Sequence, residues 1–121
     1  MKVIIDLIED VRESIANAES YQVMAGLLKE DVDDPSRLIY VGEAPVNRFM
    51  VDPEKKELRF TIDGSGTVVT IGELIPGLLI LDMDAMMYGL KVDVNAEYRE
   101  VAVVGFGKND EEKRYVLFIK L

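Results

Sequence analysis

The sequence predicts an α+β fold, in which one long N-terminal amphipathic helix packs on a mostly antiparallel β-sheet of about six to seven short strands. Three observations support this fold class. Apolar residues recur three or four positions apart over residues 3–29, most later segments alternate with a period of two, and Gly, Pro, Asn and Asp separate those segments. The 121 residues match the size of one domain, so we assign residues 1–121 to a single domain.

The predicted helix covers residues 3–29, which contain no proline and have their first glycine at Gly26. A helix of about 26 residues would be about 39 Å long and would not be reliably stable alone, so its stripe should lie on the rest of the chain. Residues 30–36, which are acidic and include Pro35, are predicted to form an exposed connector. The apolar stripe consists of Ile4, Ile8, Val11, Ile15, Ala18, Tyr21, Ala25 and Leu28.

The remaining residues, 37–121, are predicted to form a β-rich part. Short strands are expected at 37–42 and 48–51. Alternation over 57–62, the Asp-Gly pair at 63–64 and the segment 67–71 together predict a hairpin. The apolar run 78–81 predicts a buried strand, and 90–94 alternates again before a turn at 95–97. Segments 98–106 and 115–121 predict a closing hairpin.

The final segment is apolar on both of its faces. Tyr115, Leu117 and Ile119 share one face of the predicted strand, and Val116 and Phe118 share the other. A strand of this kind is covered on both sides, either within the chain or by another chain. We therefore expect Val116 and Phe118 to lie at a protein interface, most simply in a homodimer.

Composition restricts the classes of function. The net charge is −9, and the chain has neither cysteine nor histidine, which excludes thiolate nucleophiles, Cys/His zinc sites and Ser-His-Asp catalysis. The negative charge disfavours nucleic acids and anionic membrane surfaces as partners. Asp6 interrupts any apolar signal-peptide core, and the absence of cysteine fits a reducing compartment, so we expect a cytoplasmic protein without a cofactor.

One segment carries a candidate ligand site. Asp82 and Asp84 follow the apolar run and would share a face of a strand, with Tyr88 nearby to supply a hydroxyl. The Asp-x-Asp pair after a hydrophobic segment resembles the nucleophile motif of haloacid-dehalogenase-type phosphatases, which implies a phosphorylated first Asp, an acid/base second Asp and Mg²⁺. Here Ala85-Met86 replace the Gly-Thr of that family, and we assign no catalytic residue and no metal site.

The helix presents an acidic face as a second candidate interface. Asp6, Glu9, Asp10 and Glu13 lie opposite the apolar stripe and could contact a basic partner. The same charges would also favour the positive end of the helix dipole without any partner.

These observations favour a small acidic, non-enzymatic interaction or assembly module that self-associates or binds a protein partner. The alternative is a small-molecule-binding or metal-binding domain, with a catalytic role left open, whose site lies near Asp82, Asp84 and Tyr88. Met83, Met86 and Met87 would give that site an adaptable lining.

Overall fold

A computed structural model describes residues 1–94 and 99–121 of the chain, and it shows an α+β fold. The helices are α1 (Ile4–Ser14) and α2 (Ile71–Leu79), and two short 3₁₀ segments cover Ala18–Ser20 and Met83–Met87. The strands are β1 (Gln22–Glu30), β2 (Leu38–Pro45), β3 (Arg48–Asp52), β4 (Glu57–Ile62), β5 (Gly89–Val94), β6 (Arg99–Asn109) and β7 (Arg114–Lys120).

The described strands form one mixed sheet of seven strands in the order β2-β1-β7-β6-β5-β4-β3. The pairs β1·β7 and β4·β5 are parallel, and the other pairs are antiparallel. The predicted fold, one long helix on a mostly antiparallel sheet, is therefore wrong. Two short helices accompany a mixed sheet whose parallel β1·β7 pair joins distant parts of the chain.

The predicted helix over residues 3–29 ends at Ser14, because Ile15 adopts an extended conformation with φ −136° and ψ 123°, and it does not resume at Asn17. Asn17 adopts a left-handed conformation with φ 57°, which a continuing α-helix does not allow. Gln22–Glu30 then becomes strand β1 between β2 and β7. The sequence of this segment is compatible with a helix and with a strand. Tyr21, Ala25 and Leu28 are spaced as in a helix, but the consecutive apolar residues also suit a strand that is buried on both faces.

The hairpin predicted around residues 63–66 is also wrong. Strand β4 pairs with β3 and β5, and residues 67–69 belong to no strand. Val69 instead donates its N–H to Val46 O and accepts from Val23 N–H. Tertiary backbone partners therefore override the local turn signal of Asp63-Gly64.

The apolar run at 78–81 is not a strand, because it contains the end of α2 and the turn that follows. The Thr70 side chain accepts from Glu73 N–H at 3.3 Å and caps the N-terminus of α2. Ile71, Leu74 and Leu78 are buried at helical spacing. Pro76 lies inside this helix, which connects the parallel strands β4 and β5.

The closing hairpin is confirmed as the antiparallel pair β6 and β7. Its apolar pattern is confirmed as well, because Tyr115, Leu117 and Ile119 belong to the main core cluster. Val116 and Phe118 pair with Met24 and Gly26 on the other face. The predicted turn at residues 95–97 lies outside the described residues.

The sheet must curl strongly, because its two edge strands are consecutive in the chain. Only Val46 and Asn47 separate β2 from β3. The edges of a flat seven-stranded sheet would lie about 29 Å apart, whereas the chain from Pro45 to Arg48 spans at most about 11 Å. The β2–β3 corner therefore brings one end of each edge strand together.

A closed set of three backbone hydrogen bonds holds this corner. Val46 N–H donates to Val23 O at 3.1 Å, Val23 N–H donates to Val69 O at 2.8 Å, and Val69 N–H donates to Val46 O at 3.3 Å. All three valines are buried. The start of β1, the β2–β3 corner and the loop after β4 are thus held to one another without side-chain involvement.

Asn47 fixes the loop after β4 through its side chain. It is 2% exposed. Its Nδ2 donates to Thr67 O at 2.9 Å, and its Oδ1 accepts from the N–H groups of Asp63 at 2.8 Å and Gly64 at 3.1 Å. The buried amide therefore pairs backbone groups of residues that lie outside the strands.

The core lies on the inner face of the curled sheet, where both helices contribute apolar side chains. From α1 these are Ile4, Leu7, Ile8 and Val11, and they share one cluster with residues of α2 and the strands. Among the helices of the described residues, none combines the length and apolar character needed to cross a bilayer.

Tyr115 joins the core to α1 through one side-chain hydrogen bond. Its ring is fully buried, and its hydroxyl donates to Asp10 Oδ2 at 2.7 Å. Burial, followed by the neighbouring Asp10 carboxylate, raises the pKa of Tyr115 far above its usual range.

Replacing Asn47 by alanine should lower the free energy of unfolding by about 2–4 kcal/mol, because three hydrogen bonds made by this buried side chain are lost. Urea denaturation followed by circular dichroism measures the change. Asn109→Ala is a matched control, since Asn109 Oδ1 accepts only an exposed bond from Glu112 N–H, and it should cost less than about 1 kcal/mol. Equal losses in the two variants would contradict the role given to Asn47.

Alkaline pH should destabilise the wild type more than Tyr115→Phe. A raised folded-state pKa means that Tyr115 stabilises fully below the unfolded pKa of about 10 and that this contribution falls as the pH rises further. Between about pH 9 and about pH 11, the difference in unfolding free energy between wild type and variant should shrink by about 1.4 kcal/mol. Denaturant titrations of both proteins at the two pH values measure it, and a constant difference would contradict the assignment.

Candidate functional site: the outer face of the sheet

The strands β2, β1 and β7 carry an apolar layer on the face turned away from both helices. Met24 and Val116 are 6% and 4% exposed but do not belong to the core cluster. Register places Gly26 beside Phe118 and Leu28 beside Tyr40 on this same face. We call Met24, Leu28, Leu38, Tyr40, Val116 and Phe118 the outer apolar face.

Phe118 lies flat in a trough made by glycines on the two neighbouring strands. A Cβ on Gly26 would stand 2.8 Å from Phe118 Cδ1, and one on Gly107 would stand 2.7 Å from Phe118 Cε2. Tyr40 closes one side of the trough with its ring edge-on to Phe118, at a centroid distance of 6.2 Å. The absence of side chains at these glycines keeps the surface level, so that it offers a broad apolar contact area.

The apolar surface continues onto the edge strand β2. Leu38, Ile39, Tyr40 and Val41 are 43%, 41%, 49% and 52% exposed. Leu38 and Tyr40 lie on the outer face, whereas Ile39, which pairs with Lys29, lies on the opposite face. Proteins usually protect an edge strand with charges, proline or a bulge. Here Val41 is an extra residue in the register with β1, and Pro45 ends the strand. These features limit extended hydrogen bonding at the edge, but they leave the four apolar side chains exposed.

The other half of the same sheet face is charged and paired. Arg59 forms ion pairs with Asp52 and Glu57 at 3.9 Å each and with Glu100, and Lys91 reaches Glu57 at 3.6 Å. The outer apolar face is therefore confined to the part of the sheet that contains β2, β1 and β7.

The second candidate site is an open pocket beside β3. Asp82, Asp84 and Tyr88, which the sequence proposed as ligand-binding residues, all line this pocket of about 250 Å³ together with Leu81 and Val51. Asp82 and Asp84 are exposed, and Tyr88 is half-buried with its ring against the core. The described residues include no group of three or more Asp or Glu side chains that could hold a metal ion.

Only part of the acidic face of α1 accepts hydrogen bonds from other residues of the chain. The Asp6 carboxylate accepts from Val3 N–H at 2.8 Å and caps the helix, and Asp10 accepts from Tyr115. Glu9 and Glu13 are exposed. Two of the four acids proposed as a partner-binding face therefore have structural partners within the chain.

The sequence reasoning missed the most exposed part of the outer apolar face. It predicted a strand at 37–42 but did not identify it as an edge, because edge position depends on the whole strand order. It also missed the role of Gly26 and Gly107, which is visible only once Phe118 is placed over them. The two-sided apolar pattern of β7 was the available signal.

Comparison of the chain with protein-family models, with curated proteins and with solved structures finds no match.

Gly26→Ala should destabilise the protein by about 2 kcal/mol, because the new Cβ would meet Val116 Cγ1 at 2.6 Å as well as the Phe118 ring. Thermal and urea unfolding measure the change. Gly105→Ala is the control, because its Cβ would lie 3.9 Å from Phe118. In a Phe118→Leu background the cost of Gly26→Ala should fall, and strict additivity would argue against the trough.

Proposed function

We propose that this protein is a non-enzymatic assembly module that self-associates through its outer apolar face, with β2 at the centre of the contact. The observation that carries the proposal is the exposed pair Leu38 and Tyr40 on β2, which share the outer face of the sheet, with the Tyr40 ring against Phe118. Apolar surface of this kind marks interaction sites in stable proteins.

A second copy of the same chain is the occupant that the charges favour. Arg37 precedes the apolar run and Glu43 follows it. In a two-fold arrangement the β2 strands of the two copies would run antiparallel, so that Arg37 of each copy would lie near Glu43 of the other. Glu43 already binds Arg114 at 3.1 Å, which holds its carboxylate on the outer face.

The contact is expected to use side chains more than a continuous strand ladder. The bulge at Val41 interrupts the regular spacing of N–H and C=O groups along the free edge. Packing Leu38, Tyr40 and Phe118 against their symmetry mates would remove apolar area from water at about 25 cal/mol per Å². Flat apolar surface over the glycine trough allows such close packing.

Leu38→Lys should convert a wild-type dimer into a monomer, because it places two like charges in the centre of an apolar contact. Sedimentation equilibrium over the micromolar range measures the dissociation constant, which should rise by at least about tenfold. Ile80→Lys is the matched control, because Ile80 is also an exposed apolar residue but lies after α2.

Circular dichroism and thermal melts should show that both variants fold as the wild type does, since both sites are exposed. A wild type that stays monomeric at high micromolar concentration would contradict self-association. Equal weakening by Leu38→Lys and Ile80→Lys would place the contact elsewhere.

A further inference from the structure

A second apolar patch lies where α2 ends and the following 3₁₀ segment begins. Leu79, Ile80, Met83 and Met87 are 52%, 84%, 89% and 69% exposed, and we call these four residues the methionine patch. The buried side of α2 uses Ile71, Leu74 and Leu78. The patch therefore consists of the apolar residues in this segment that the core leaves in solvent.

The methionine side chains of the patch can adapt to apolar partner surfaces of different shape. Methionine side chains are unbranched and polarisable, so they adapt to different apolar surfaces at little cost. Ala85, in the same 3₁₀ segment, is buried, which anchors the segment while Met83 and Met87 remain free. The exposed methionines are therefore presented on a fixed support.

Two carboxylates stand beside the patch. Asp82 and Asp84 alternate with Met83 in the sequence and line the pocket formed with Val51, Leu81 and Tyr88. Among the described side chains, neither carboxylate takes part in an ion pair. A long basic side chain would fit this pocket, with its methylene stem on the apolar wall and its charged end at the carboxylates.

We propose that the methionine patch and the adjoining pocket bind a basic amphipathic helix of a partner protein. Leucine-type side chains of that helix would pack on Met83 and Met87, and a lysine or arginine one turn away would enter the pocket between Asp82 and Asp84. The net charge of −9 attracts such a helix over a longer range. This surface is formed by the end of α2, the segment after it and Val51 of β3, and it shares no residue with the outer apolar face, so the two proposed contacts use different side chains.

The test titrates the intact protein into a fluorescently labelled model helix built of leucine on one face and lysine on the other. Fluorescence anisotropy should show saturable binding that weakens as salt increases. A peptide with glutamate in place of every lysine should not bind. Met83→Ser with Met87→Ser should weaken binding through loss of apolar contact.

The double variant Asp82→Asn with Asp84→Asn should weaken binding of the lysine peptide by about tenfold, from the loss of two ion pairs. Asp33→Asn with Asp34→Asn removes the same charge from the connector before β2 and is the matched control, with an expected change below about twofold. Equal weakening in both double variants, or no saturable binding by the wild type, would overturn the proposal. Leu38→Lys should leave this binding unchanged, which separates it from self-association.

Discussion

Three backbone hydrogen bonds among Val23, Val46 and Val69 hold together the curled sheet. They connect the first strand, the corner between the edge strands and the loop after β4, which are far apart in sequence. Each bond is buried, so breaking one would leave a donor and an acceptor without water to replace them. Asn47 extends the same arrangement by pairing the loop through its amide.

The curled sheet has an inner face, which carries the core, and an outer face, which is proposed for self-association. Both helices contribute to the core on the inner face. On the outer face, Met24 and Val116 are buried among strand residues alone, and Phe118 lies over glycines. The surface proposed for self-association is thus a consequence of the curvature. It would not be left open if helices packed on both sides, as they do in all-parallel sheets.

Sequence reasoning identified features that depend on neighbours in the chain. The two-sided character of β7 and the shared pocket of Asp82, Asp84 and Tyr88 follow from short-range spacing. The assignment of residues 22–30 failed because their apolar pattern suits a helix and a central strand equally. Only pairing with β7, whose residues lie about ninety positions away, decides between them. The hairpin prediction for the loop after β4 failed for the same reason, since Asn47 and Val23, which are distant in sequence, supply the hydrogen-bond partners of this loop.

The parallel pairing of β1 with β7 has a consequence for how the molecule forms. Gln22 pairs with Arg114 and Leu28 with Lys120, so the middle of the sheet stays incomplete until nearly all of the described chain has left the ribosome. Folds dominated by such distant pairings acquire their structure slowly, because chain entropy is lost before the pairings reward it. Until β7 is made, β1 can pair only with β2. One edge of this strand, which is apolar on both faces, then has no hydrogen-bonding partner. Synthesis therefore exposes this chain to misassembly for longer than its small size suggests.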